Sequence, residues 1–100
     1  MMEFYLMDHG GDLAGEVTVS SSKEALMLGG FTPVPRFCLY EQLFREFEQA
    51  ANDQLFVEID RLEHEIAALG FYLVGPFPQD DRLEIEDLQI MGNDVSFRLR

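Results

Sequence analysis

Apolar and polar positions alternate near the start of the chain. In residues 3–8 both alternating faces are partly apolar, Phe4 and Leu6 on one and Tyr5 and Met7 on the other, which predicts an inner strand. His9-Gly10-Gly11-Asp12 reads as a turn. Val17 and Val19 alternate with Glu16 and Thr18 and predict a short second strand. Ser21-Ser22-Lys23-Glu24 has the form of a capping box, which predicts a short helix closed by Gly29. Pro33 and Pro35 hold the next segment extended.

The period changes at residues 39–69. Tyr40, Leu43, Phe44, Phe47, Ala50 and Ala51 form one helical stripe. Leu55, Ile59, Leu62, Ile66 and Leu69 form a second, and Gly70 is a stop. Asn52-Asp53 lies between the stripes as a cap or a kink. Two antiparallel helices and one bent helix of roughly 45 Å both fit this pattern. Residues 71–74 are apolar on both faces and predict a buried strand ended by Pro76 and Pro78. Gly92-Asn93 predicts a two-residue hairpin turn. That turn sets Ile90 across from Val95, Leu88 from Phe97, Gln89 from Ser96 and Asp87 from Arg98. Leu83 and Ile85 then fall out of phase with Leu88 and Ile90. A bulge at Glu86-Asp87 restores the phase and brings Ile85 opposite Leu99.

Strands and helices segregate along the chain, which predicts an α+β fold in a single domain, residues 1–100. The expected form is a mostly antiparallel sheet of about five strands. One long or two shorter helices, plus the short one, pack on one face.

Charge narrows the functional classes. Asp and Glu number 19 against 7 Lys and Arg, a net charge of -12, while 47% of residues are apolar. The apolar share is that of a folded protein. The charge argues against direct binding to nucleic-acid phosphates or anionic membranes, since both need cations. One cysteine provides neither an internal disulfide nor a four-cysteine metal site, which fits a reducing, cytoplasmic setting. No basic leader with an apolar run is evident, and the longest nearly apolar stretch, 12 residues over 66–77, is too short to span a bilayer.

Candidate chemistry is sparse. His9 in a glycine turn fits a solvated loop better than a general base. His64 follows Asp60 by four residues, a spacing that could place two metal ligands on one helix face, but no third ligand accompanies them. Cys38, between Phe37 and Leu39, is expected to be buried and inert. The acidic run over residues 80–87 lacks the glycine and final glutamate of a calcium loop, and Leu83 and Ile85 give it strand periodicity. No phosphate-binding, dinucleotide or nucleophile motif is present. The chain is therefore read as a non-enzyme without cofactor or metal.

The acids are concentrated. Residues 41–65 carry a net of -6, and Asp80, Asp81, Glu84, Glu86 and Asp87 against Arg82 add -4. Solubility needs less charge than this. On a helical wheel, Asp53, Asp60 and His64 lie opposite the stripe centred on Leu62, with Phe56 and Val57 also outside it. The alternative for Phe56 and Val57 is burial beneath the Pro33-Pro35 segment or the sheet edge. If exposed, they form an apolar anchor within an acidic rim. The predicted partner-binding set is Asp53, Phe56, Val57, Asp60, Glu63, His64, Asp80, Asp81, Glu84 and Glu86.

In size, charge and lack of catalytic motif the chain resembles small acidic bacterial immunity proteins, including those of contact-dependent growth inhibition systems. The resemblance implies a cytoplasmic antidote that masks the basic surface of one toxin domain, often a nuclease. Two other readings stand beside it. One is a nucleic-acid mimic of the anti-restriction or anti-CRISPR type, for which the 31-residue helical region would supply a long acidic face. The other is an obligate subunit or homodimer.

Overall fold

The alternating segments become strands, and they close on themselves. The computed structural model describes residues 2–75 and 82–100. Its strands are β1 (Met2–Met7), β2 (Leu13–Lys23), β3 (Leu26–Pro33), β4 (Tyr72–Val74), β5 (Leu83–Met91) and β6 (Asp94–Leu99). Between β3 and β4 lie a 3-10 turn (Pro35–Phe37), α1 (Cys38–Asn52) and α2 (Phe56–Ala68). All strand pairs are antiparallel, in the order β1-β2-β3-β6-β5-β4, with β4 returning to β1. The α+β class is as expected. The open sheet of about five strands is replaced by a closed barrel of six.

Closure follows from side-chain alternation. Phe4 pairs with Val17, and Val17 with Phe31, so one layer of apolar side chains points inward. Leu6 meets Leu73 where β1 joins β4. These residues share one core with Phe44 and Phe47 of α1 and Leu62 and Ile66 of α2. Both helices pack on each other and on β5.

The predicted short helix, opened at residues 21–24 and closed by Gly29, is absent. β2 runs on through Lys23, turns at Glu24-Ala25 and pairs back with Lys23 opposite Leu26. Tertiary pairing decides this, because Met27 sits opposite both Ser22 and Phe97, and a helix here would abandon both ladders. Gly29 is therefore no helix stop. It lies between Val19 and Val95, and a Cβ there would sit 2.0 Å from the Thr18 carbonyl oxygen.

The helical region is two helices. Leu55 N–H donates to the Ala50 carbonyl at 3.0 Å, and Gln54 N–H to the Ala51 carbonyl at 3.2 Å, with Gln54 at φ 57°. That is a Schellman stop with glutamine in the place glycine usually takes. Gly70, at φ 68°, ends the second helix as expected. No helix among the described residues is long and apolar enough to cross a membrane.

The last hairpin keeps the expected pairs Ile90 with Val95 and Gln89 with Ser96. The expected bulge is present. Ile85 faces Leu99, Asp87 has φ 55°, and Asp87 with Leu88 together oppose Phe97. One detail is corrected: Arg98 stands opposite Glu86, because the bulge shifts the register by one before Asp87 is reached. The expected strand stop at Pro76 and Pro78 lies outside the described residues.

Candidate functional site

The first turn of α2 carries the most exposed large apolar side chains among the described residues. Phe56 is 71% and Val57 81% exposed, so the alternative of burial beneath Pro33-Pro35 does not hold. Both lie away from the buried line of Leu62 and Ile66. Asp60 and His64 continue this outer face, and Asp53 caps the end of α1 beside it. Asp53 accepts a hydrogen bond from Gln49 Nε2 at 2.7 Å, which holds it at the turn. His64 Nδ1 donates to the Asp60 main-chain oxygen at 2.7 Å. That bond fixes the ring against its own helix.

The two flanks of α2 differ. On the side toward α1, Arg61 bridges Glu58 and Glu65 at 2.7 and 3.1 Å. On the opposite side Glu63 borders a groove against β5 with Glu84, Glu86 and Asp87 across from it. The structure thus joins Glu63, Glu84 and Glu86 at one groove. It places Asp53, Phe56, Val57, Asp60 and His64 on the adjoining outer face of the helix. Asp80 and Asp81 lie outside the described residues.

Folding also redistributes the charge. Arg82 pairs with Glu84 at 2.9 Å and lies 4.1 Å from the centre of the Tyr72 ring. Arg98 reaches Asp87 at 3.6 Å, and Arg100 reaches Glu86 at 3.7 Å. The described acids of the β5 run are thereby each given an arginine, two of them from β6 and the residue after it. The helix acids are paired only in part: Glu41 with Arg45, and Glu58 and Glu65 with Arg61. Among the described residues Glu46, Glu48, Asp60 and Glu63 have no ion-pair partner. The exposed pairs themselves contribute little to stability, about 0–1 kcal/mol each.

A second polar cluster went unseen in the sequence. Asp8, at 2% exposure, is the one buried charged residue among those described. Its carboxylate accepts from the Tyr40 hydroxyl at 2.8 Å, Arg36 Nε at 3.2 Å, and the main-chain N–H groups of Gly10 and Asp12 at 3.0 and 3.1 Å. Arg36 also reaches Asp12 at 3.1 Å. Burial pushes the Asp8 pKa up, but the bonds from Tyr40, Asp12, Arg36 and Gly10 outweigh it and hold the value at about 2. The same contact with Asp8 raises the Tyr40 hydroxyl, with burial adding to it. Arg36 and Tyr40 lie 28 and 32 residues away in sequence, so nothing local marked them. The available signal was Asp8 followed by two glycines, the start of an Asx turn. The cluster ties the β1–β2 turn to the start of α1. With every Asp8 partner supplied from within the fold, it reads as a clasp.

Cys38 is exposed, contrary to expectation. Phe37, Tyr40, Phe44 and Phe47 take the inward spacing of α1, which turns Cys38 and Leu39 outward. An aromatic stack explains why Phe37 wins that place. Its ring lies 4.9 Å from Phe31 and 5.6 Å from Phe44.

Comparison with protein-family models, curated proteins and solved structures gives no match to this chain.

Proposed function

We propose that this protein binds and masks a basic surface on another protein, as an immunity protein masks its cognate toxin domain. The observation that carries the reading is the outer face of α2. Phe56 and Val57 stand exposed at its first turn, with Asp53 and Asp60 beside them and Glu63 further along the helix, all three without arginine partners among the described residues. An apolar anchor inside a charged rim is the arrangement of an interface hot spot. Unpaired acids on the rim steer a cationic partner and speed encounter. A nuclease-like domain fits this chemistry, because its own substrate is a polyanion.

The homodimer reading is opposed by charge, since two copies would each bring -12 to the contact. The nucleic-acid mimic has less support. It needed a long continuous acidic face, and the helical region is folded into halves of 15 and 13 residues.

The test is binding to a basic toxin domain encoded beside this protein, measured across salt concentrations. Submicromolar affinity that weakens with salt supports the proposal. Absence of binding at low salt overturns it. Light scattering of the free protein at micromolar concentration separates the homodimer, which would give twice the monomer mass.

A further inference from the structure

β5 has two edges, and they are not equally used. Along one, β6 pairs with it from Ile85 to Met91, apart from the bulge. Along the other, β4 covers it only at Leu83 and Glu84. Beyond Glu86 that second edge faces no strand among the described residues. Counting back from the two-residue turn, Met91 and Gln89 bond to β6, and Leu88 and Ile90 turn their main-chain groups the other way. Ile90 is buried beside α1, whereas Leu88 borders a groove toward α2, and an edge without a strand partner at such a place is a template for another strand.

A groove lies along that edge. It has a volume of about 350 Å³ and runs between residues 85–89 of β5 and the second half of α2. Ile66, Phe71, Ile85 and Leu88 form an apolar floor, and Ala67 lies exposed on its wall. The size is at the lower end of ligand-binding clefts, roughly 300–1,000 Å³. Four acids, Glu63, Glu84, Glu86 and Asp87, border it against two arginines, Arg82 and Arg100. The Arg98–Asp87 and Arg100–Glu86 contacts, at 3.6 and 3.7 Å, are longer than hydrogen bonds. Those carboxylates therefore keep acceptor capacity for an incoming cation.

We infer that this groove receives an extended basic segment of the partner, added as a strand to the edge of β5 at Leu88. The inference rests on the proposed masking function and names the form in which the partner is held. Main-chain bonds to Leu88 give the pairing. The period of two then sends alternate side chains to the apolar floor and to the carboxylates. The preferred segment alternates apolar residues with Lys or Arg. Phe56 and Val57 lie at the far end of α2 and would meet a second part of the same partner.

The probe is a capped synthetic peptide of alternating lysine and valine, titrated into the intact protein and followed by amide chemical shifts. The largest changes are expected at residues 85–89 and 63–70. N-methylation of the peptide nitrogens that face β5 removes main-chain donors and should weaken binding about tenfold or more. Ala67→Trp fills the groove from an exposed position and should abolish binding with an unchanged urea midpoint. Glu63→Gln, which is smaller in its effect on shape, should weaken binding several-fold. Equal affinity for the N-methylated peptide overturns the inference. So does a lysine–valine peptide that fails to bind. Shifts confined to Phe56, Val57 and Asp60 overturn the groove and leave the masking function standing. Failure of the toxin domain itself to bind is a separate result and removes that function.

Discussion

Asp8 and Asp60 are the same side chain in opposite circumstances. Asp8 is buried and accepts four hydrogen bonds from within its own fold. Asp60 stands on the open face of α2 with no cation paired to it among the described residues. The contrast extends to their surroundings. Glu84, Glu86 and Asp87 of β5 each have an arginine, Arg82, Arg100 and Arg98 in turn, while among the described residues four of the seven acids within α1 and α2 have none. Charge that a fold satisfies internally holds structure together. Charge left unsatisfied is available to something else.

The largest effect is expected from removing the satisfied acid. Asp8→Ala strands the Arg36 and Tyr40 contacts and two main-chain donors, and should lower stability by about 3 kcal/mol. Urea unfolding measures this. A loss under about 1 kcal/mol would mean that the clasp is incidental. The pH dependence has a definite sign. The Asp8 pKa is depressed from 3.8 to about 2 in the fold, so its stabilisation is fully present above 3.8. It is lost as pH falls through about 2. Acid unfolding of Asp8→Asn should lack that component.

Of similar size is Gly29→Ala, which tests the barrel directly. A methyl group at this place collides with β2 main chain, so a loss of about 2–4 kcal/mol is expected. The helix reading of residues 21–29 predicts only a small change.

Smaller, and opposite in sign, is Gln54→Gly. It places the natural residue in the left-handed position of the Schellman stop and should raise stability by about 0.5–1 kcal/mol. No gain in the thermal midpoint would argue that α1 and α2 are not separated at this turn.

The smallest effect belongs to the exposed pairs. Arg98→Ala should change stability by less than about 0.5 kcal/mol, since the contact is long and solvated. A larger loss would place the β5–β6 charges with Asp8 as structural elements.

Much of this was legible in the sequence, and the failures have physical reasons. The hairpin at Gly92-Asn93 and its bulge could be read because side-chain phase alone demanded them. Val17 and Val19 showed a strand, but its extension to Lys23 depends on partners in β3, itself held by β6, that no local window contains. The capping-box residues at 21–24 carry a real helix signal that cross-strand pairing overrides. The turn at Gln54 was blurred because the position that glycine normally marks is filled by glutamine. On the site, the helical wheel placed Phe56, Val57, Asp60 and His64 on the exposed side, where the structure has them. It could not show that Glu86 would gain an arginine, since that one comes from beyond β6. Nor could it find Asp8, whose partners are distant in the chain.

The proposed masking role requires α2 to be the face that meets a basic partner. The most direct measurement is the association rate of the toxin domain with the double variant Asp60→Lys, Glu63→Lys, taken at low and high salt. A masking role for α2 predicts a rate at least about tenfold slower at low salt, a weaker salt dependence, and a urea midpoint close to that of the unaltered protein. An unchanged rate with unchanged salt dependence would contradict it.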